Sequence, residues 1–184
     1  MTSPPGSSTV LPVASSVNAT AASVPGCVVE DDTGRVVGSC ADVPTSAARV
    51  ELITRFLAAF NAGNIDVAME AFATDSGVSD CDYDHVRAYE ARGRAKVASW
   101  LEERARDHDV LLPATYEVAD FDPLVAGVGF ARRTNDTLRR LGFPNGIVPN
   151  LAAKVRFSLS DGRLLIETFA NGPIGGLSTL CQPR

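Results

Sequence analysis

The spacing of apolar residues predicts two helices in close succession in the first half of the chain. From Ser46 onward, apolar side chains recur every three or four positions, which is the period of an amphipathic helix. The stripe comprises Val50, Ile53, Leu57 and Phe60. Gly63 suits the left-handed conformation that ends a helix, and Asn64 suits the cap of the next one. The second helix has the apolar face Ile65, Ala68, Met69 and Phe72.

A third helix and four strands are predicted further along the chain. The helix spans 93–106, with Val97, Trp100, Leu101 and Ala105 directed inward. Its outward side chains are Glu102, Glu103, Arg104 and Arg106. The period then changes to two, which is typical of strands, over 110–120, 124–133, 151–159 and 164–171. One helical turn is expected around 138–141, in the connection between the second and third of these strands.

This order of elements predicts an α+β fold. Helices followed by a run of strands are typical of that class. We expect the helical hairpin and the third helix to pack on a strongly curved antiparallel sheet, forming a cone around an apolar cavity. Gly127 and Gly129 lie on one face of one strand, which predicts sharp bending or a close approach of backbone there.

The composition predicts one domain with short additions at both ends. Residues 1–26 carry no charged side chain and are expected to be flexible; a small hairpin and linker at 27–45 precede the domain at 46–172, and 173–184 form a tail. The first segment lacks the basic start and unbroken apolar stretch of a signal peptide. We therefore expect either an extracytoplasmic protein whose export signal is absent from this chain, or a cytoplasmic protein with a native extension.

Charge and motifs exclude several classes of function. The net charge of −5 argues against nucleic-acid binding, and no apolar run reaches the roughly 18 residues of a membrane span. The chain has neither a P-loop nor the GxSxG motif of serine hydrolases. The segment Asp80-Cys-Asp-Tyr-Asp84 lacks the glycine and distal glutamate of a calcium loop, so we expect neither a metal nor a cofactor.

The four cysteines are candidates for disulfides. They are Cys27, Cys40, Cys81 and Cys181. A two-residue loop at Thr33-Gly34 would place Cys27 opposite Cys40, whereas a three-residue loop ending at Gly34 would place Ser39 there. If that pair is oxidised, the other two cysteines pair by exclusion. The alternative is four thiols in a cytoplasmic protein.

Three segments resemble the nuclear-transport-factor-2-like superfamily, which includes ketosteroid isomerase, scytalone dehydratase and SnoaL-like polyketide cyclases. They are FLAAFNAGNIDVAMEAFATDSGVSD, RGRAKVASWL and KVRFSLSDGRLLIETFANG. The resemblance covers about 47–172 and implies a curved sheet with a deep pocket for a small hydrophobic ligand or substrate. It also implies a homodimer paired through the outer face of the sheet, although Lys154 and Arg156 on that face make a dry interface less natural.

The resemblance to ketosteroid isomerase implies a general base on the first strand after the helical hairpin. Counting forward from the hairpin gives Asp80, and counting back from Gly93 gives Asp84. His85 is a candidate for a histidine–aspartate relay of the dehydratase kind. The donors of the isomerase are missing, since Phe56 and Ala153 stand where that enzyme has a tyrosine and a protonated aspartate.

Three functions follow as hypotheses. The first is a binding domain with an apolar pocket, the second an isomerase, dehydratase or cyclase that uses a pocket aspartate as base, and the third a dimeric interaction module. The expected ligand-binding residues are Phe56, Phe60, Trp100, Tyr116, Phe130, Phe157, Glu167 and Phe169. Glu167 has the alternative of facing solvent beside Arg156.

Overall fold

Four helices form where the apolar pattern and the capping residues predict them. The computed structural model describes residues 28–30, 36–39, 44–82, 87–118, 123–147 and 151–173. The helices are α1 Ser46–Asn61, α2 Ile65–Met69, α3 Arg94–Arg106 and α4 Asp136–Arg140. The predicted bounds of α1 and α3 hold to within one residue. No helix in the described ranges is long and apolar enough to cross a membrane.

The link between α1 and α2 is as tight as the sequence predicts. Gly63 has φ 64°, the left-handed conformation that stops α1. The side chain of Asn64 then accepts the backbone N–H of Val67 and caps α2. Phe72, which the helical pattern assigned to the face of α2, instead lies at the start of the first long strand, because α2 ends after five residues.

Six strands form one mixed sheet. They are β3 Phe72–Asp82, β4 Arg87–Arg92, β5 Val110–Val118, β6 Val125–Thr134, β7 Leu151–Ser160 and β8 Arg163–Pro173. Their spatial order is β4-β3-β8-β7-β6-β5. All neighbours are antiparallel except β3 and β8, which run parallel. The predicted antiparallel sheet is therefore correct for every pair but this one, which is joined by a long stretch of chain and not by a hairpin.

Irregular pairing curves the sheet. Register shifts occur between β3 and β8, between β5 and β6, and between β7 and β8. At Gly129 an added Cβ would lie 2.5 Å from the Oγ1 atom of Thr115 across the strand pair. This is the close approach predicted from the two glycines of β6.

A separate hairpin precedes the domain and combines both predicted registers. Strands β1 Val28–Glu30 and β2 Val36–Ser39 pair with each other in a sheet of their own. Glu30 pairs with Val36, as a three-residue loop requires, whereas Val28 pairs with Ser39, as a two-residue loop requires. A register shift between Val29 and Glu30 joins the two patterns. Cys27, Cys40 and Cys181 lie outside the described residues, so the disulfides stay predictions, as do the domain boundaries.

The core lies between the helices and the concave face of the sheet. On β7 the inward residues Ala153, Val155 and Phe157 are buried, whereas Lys154 on the other face is exposed, as the alternation predicts. Arg49 of α1 is also buried, and its guanidinium donates to the Val125 carbonyl oxygen at 3.1 Å. This contact fixes the start of α1 against β6.

Candidate active site

Asp80 is the acidic residue that β3 carries into the interior. Ser76, Val78 and Asp80 alternate along the strand and are all buried, and Asp80 is 0% exposed. Its carboxylate accepts the indole N–H of Trp100 at 3.3 Å and the amide N–H of Asn171 at 3.0 Å. The general-base candidate obtained by counting forward from the hairpin therefore lies inside the cone.

Arg133 bridges Asp80 to a second buried carboxylate. Its Nη1 and Nη2 atoms lie 3.3 Å from the two oxygens of Asp80, so this pair is bidentate. Its Nε atom donates to Asp109 at 3.0 Å, and Nη2 donates to the other oxygen of the same carboxylate. One guanidinium thus holds two carboxylates in a fixed relation.

Arg104 of α3 brings a second positive charge to the same place. Its Nε atom is 3.6 Å from Asp80 Oδ2, and its Nη1 atom is 4.0 Å from Asp109 Oδ2. The apolar pattern predicted Arg104 on the outward face of the third helix, and this prediction is wrong, since the residue is 5% exposed. It follows Trp100 by four residues and therefore shares its inward stripe. Among the described residues, two arginines thus lie against two aspartates. We call these four residues the buried ionic network (Asp80, Arg104, Asp109 and Arg133).

Burial and charge shift the pKa values of two residues of this network, Asp109 and Arg133. Desolvation raises the pKa of Asp109 above its ordinary value, and the guanidinium of Arg133 opposes this shift. The two carboxylates raise the pKa of Arg133, which outweighs the opposite effect of its own burial. Arg133 therefore remains a fixed positive charge between the carboxylates at every pH at which the protein is handled.

Two asparagines complete the network. Asn135 donates to Asp109 Oδ1 at 3.3 Å and caps α4 by accepting the Leu138 N–H at 2.7 Å. Asn171 donates to Asp80, but its own Oδ1 atom is buried and has no hydrogen-bond partner among the described residues. A buried acceptor without a donor is unfavourable in a protein interior.

Aromatic rings pack beside the network. The ring centroids of Phe56 and Phe169 are 5.1 Å apart, and those of Phe60 and Trp100 are 5.6 Å apart. Further candidates of the sequence analysis in the same hydrophobic cluster are Phe130 and Phe157. All of these rings are at most 5% exposed, so they contact one another and other core side chains. The structure therefore brings six of the eight ligand-binding candidates into one cluster.

The remaining candidates lie elsewhere. Tyr116 is half-buried at the edge of the cluster, where its hydroxyl accepts from Thr54 at 3.2 Å. Glu167 is exposed and lines a groove of about 210 Å³ together with Asp75 and Arg92. Asp84 and His85 are outside the described residues, and of Cys81 only the backbone is described, so their predicted roles stay predictions.

Three residues of the site were not predicted from the sequence: Arg133, Asp109 and Asn171. Asn171 lies at an inward position of β8, two residues after Phe169. A polar residue among the apolar inward positions of this strand was the signal in the sequence that could have identified it. Arg133 gave no such signal. Phe130 faces inward, and strict alternation would turn Arg132 inward next; instead an irregularity between Phe130 and Arg132 changes the phase.

Comparison with known proteins shows the fold. No protein-family model and no curated protein matches the chain. A protein with a cystatin-like fold from Methylobium petroleophilum PM1 is 13% identical with a TM-score of 0.51, over 74% of this chain and 82% of that one. A candidate aromatic ring hydroxylase from Novosphingobium aromaticivorans is 12% identical with a TM-score of 0.51, over 72% and 90% of the two chains.

A protein of the nuclear-transport-factor-2-like type is also similar. It comes from Pseudomonas putida KT2440 and is 16% identical with a TM-score of 0.49, over 70% of this chain and 87% of that one. At such identities the likeness concerns the backbone alone. The chain therefore has the cystatin-like fold of the Methylobium petroleophilum protein, which confirms the predicted α+β class with a curved sheet.

Proposed function

We propose that this domain is an acid–base enzyme for a small, largely apolar molecule, with Asp80 as its general base. The observation that carries the proposal is the buried ionic network beside the aromatic cluster. Isomerases, dehydratases and cyclases all move a proton to or from a substrate in a pocket protected from water. Asp80 is a buried carboxylate that can accept such a proton.

The energetics of burial support a functional role for the network. Removing two carboxylates and two guanidinium groups from water is costly, and apolar side chains of similar volume often stabilise a core equally well or better. Perturbed ionisable groups gathered in one interior position are typical of active sites. A network that contributed to stability alone would therefore have no advantage over apolar side chains at these positions.

The neighbours of Asp80 suit this chemistry. Arg133 and Arg104 supply positive charge close to the carboxylate, where they can stabilise negative charge that develops on a substrate oxygen. Trp100, which donates to Asp80, packs against Phe169 with ring centroids 6.2 Å apart, so the aromatic cluster begins directly beside the carboxylate. Because Phe56 has no hydroxyl, the oxyanion would be stabilised by guanidinium groups and not by a tyrosine.

Deuterium exchange into small ketones tests the proposal without knowledge of the natural substrate. The protein would be incubated in D2O with 2-cyclohexenone and 1-tetralone, and deuterium incorporation next to the carbonyl would be measured by mass spectrometry. We expect exchange above the buffer rate, and we expect Asp80→Asn to reduce it about 100-fold or more. Asp75→Asn, an exposed carboxylate on the same strand, is the matched control and should leave the rate unchanged.

Two results would contradict the proposal. One is exchange that Asp80→Asn and Asp75→Asn affect equally, and the other is the absence of exchange above buffer for both ketones. In the second case, a ketone that still raises the melting temperature would support the other candidate function, a binding domain without chemistry. The aromatic cluster is the observation that favours this second candidate.

A further inference from the structure

The buried ionic network is closed in this structure. Asp80 is 0% exposed, Asp109 and Arg133 are 2% exposed, and Asn171 is 4% exposed. The Oδ1 atom of Asn171, beside this network, is equally inaccessible. If Asp80 acts on a substrate, as proposed above, part of the surrounding structure must move first.

Most elements around Asp80 are firmly held. β3, β6 and β8 lie inside the sheet and pair with a neighbour on each side. α3 is anchored by Val97, Trp100 and Leu101, which are at most 3% exposed. Opening the site through any of these elements would break the sheet or expose the core.

Residues 135–147, here called the α4 strap, are held more weakly. Between 139 and 145 every side chain is exposed, including Leu141 at 55% and Phe143 at 47%, and only Leu138 anchors α4 in the core. α4 is in sparse contact with the other helices and strands. Few buried apolar contacts are typical of segments that open locally at low free energy.

The α4 strap is attached directly to the network at both of its ends. At its start, Asn135 donates to Asp109, and the Thr137 backbone N–H donates to Asp107 at 3.1 Å. At its end, Ile147 and Arg133 exchange two backbone hydrogen bonds of 3.0 Å each. Release of the Ile147 end therefore removes two backbone hydrogen bonds from the residue that bridges the two carboxylates, which stays paired with Leu111 of β5.

Gly146 closes this second attachment. It has φ 73°, and a Cβ atom added there would lie 2.3 Å from the Arg133 carbonyl oxygen and 2.4 Å from Thr134 Cγ2. Any side chain at this position must push the α4 strap away from β6. Gly142, in the same segment, has φ 93° but nothing within 4 Å of its added Cβ, so it offers a matched position without the clash.

We propose that the α4 strap is the gate of the Asp80 site, which pivots at Asn135 and opens at Gly146 and Ile147 to admit the substrate. This inference rests on the proposed function, because a gate is required only if a ligand reaches the network. The exposed side chains of Leu141 and Phe143 then lie where an apolar ligand would first meet the protein.

Fluorescence quenching of Trp100 tests the gate. Trp100 is the single tryptophan of the chain, is 0% exposed and donates to Asp80, so it reports access to the site itself. We expect acrylamide to quench Gly146→Ala about twofold more strongly than the wild type, because the α4 strap is held open. Gly142→Ala has a similar backbone strain without the clash and should be quenched like the wild type.

Equal quenching of the wild type and Gly146→Ala, or an equal increase in both variants, would overturn the proposal. If Gly146→Ala does not fold, hydrogen exchange of the wild type replaces it. The amides of Arg133 and Ile147 should then exchange well before the central amides of β7, and simultaneous exchange would overturn the gate. Neither measurement depends on turnover. A negative result for the gate can therefore be distinguished from a negative result of the ketone assay with Asp80→Asn, which tests the proposed function.

Discussion

Arg133 is the side chain that joins the two carboxylates of the site. It is 2% exposed, and its guanidinium donates to both carboxylates of the buried ionic network. Removing it would leave Arg104 as the one described cation beside Asp80 and Asp109. A buried charge that loses its partner is strongly destabilising, even where the intact pair contributes little.

Arg133→Met should therefore lower the free energy of unfolding by about 3 to 5 kcal/mol. Arg132→Met, at the exposed neighbouring position on the same strand, should change it by no more than about 0.5 kcal/mol. Urea denaturation followed by circular dichroism measures both values. A loss below about 1 kcal/mol at position 133 would mean that the network is solvated in solution and does not form the closed arrangement described above.

At the scale of elements, the turn between α1 and α2 determines how the helices meet the sheet. Gly63 ends α1 in the left-handed conformation, and an added Cβ there would be 3.6 Å from Ala105 Cβ, an ordinary contact. The restriction at this position is therefore the backbone conformation and not space. α2, with five residues, relies on this turn and on its Asn64 cap.

Gly63→Ala should destabilise the domain by about 1 kcal/mol, because alanine adopts the left-handed conformation unfavourably. Gly63→Asn should cost less, since asparagine is the residue that tolerates this conformation best after glycine. Thermal unfolding of the two variants beside the wild type tests the order. Equal losses of stability in the two variants would indicate that the added side chain, and not the backbone conformation, causes the destabilisation.

At the scale of the whole molecule, the network makes stability depend on pH in a direction opposite to that of an ordinary surface ion pair. Burial raises the pKa of Asp109, so the folded state binds this proton more tightly than the unfolded state does. The stabilising contribution is complete below the unfolded value of 3.8 and is lost as the pH rises toward the folded value. Asp136, whose pKa is lowered by its hydrogen bond with His108, contributes in the opposite sense.

The comparison of the wild type with Asp109→Asn isolates this effect, because Asp136 is present in both proteins. As the pH rises above 3.8, the wild type should lose stability relative to the variant, with a slope of up to about 1.4 kcal/mol per pH unit. Urea denaturation at a series of pH values between 4 and 7 gives the difference. A constant difference, or a wild type that gains relative to the variant, would contradict the raised pKa.

The sequence predicted the local elements well because their causes are local. The stripe of α1, the glycine and asparagine of its turn, and the alternation of β7 each depend on residues a few positions apart. Asp80 became a candidate through the resemblance to ketosteroid isomerase, and the structure adds that it is buried. The helical pattern failed at Phe72, because the length of α2 depends on where β3 joins the sheet beside β8.

What the sequence alone determined is therefore the α+β class, the helical hairpin, four strands of the sheet (β5 to β8) and an aromatic interior. Only the tertiary structure decided that β3 and β8 run parallel, that Arg104 lies inside, and that Arg133 joins Asp80 to Asp109. Asp80 and Arg133 are 53 residues apart, and the bulge that turns Arg133 inward depends on how β6 pairs with β5. Such contacts arise from the pairing of distant segments, which no local pattern of apolar and polar residues encodes.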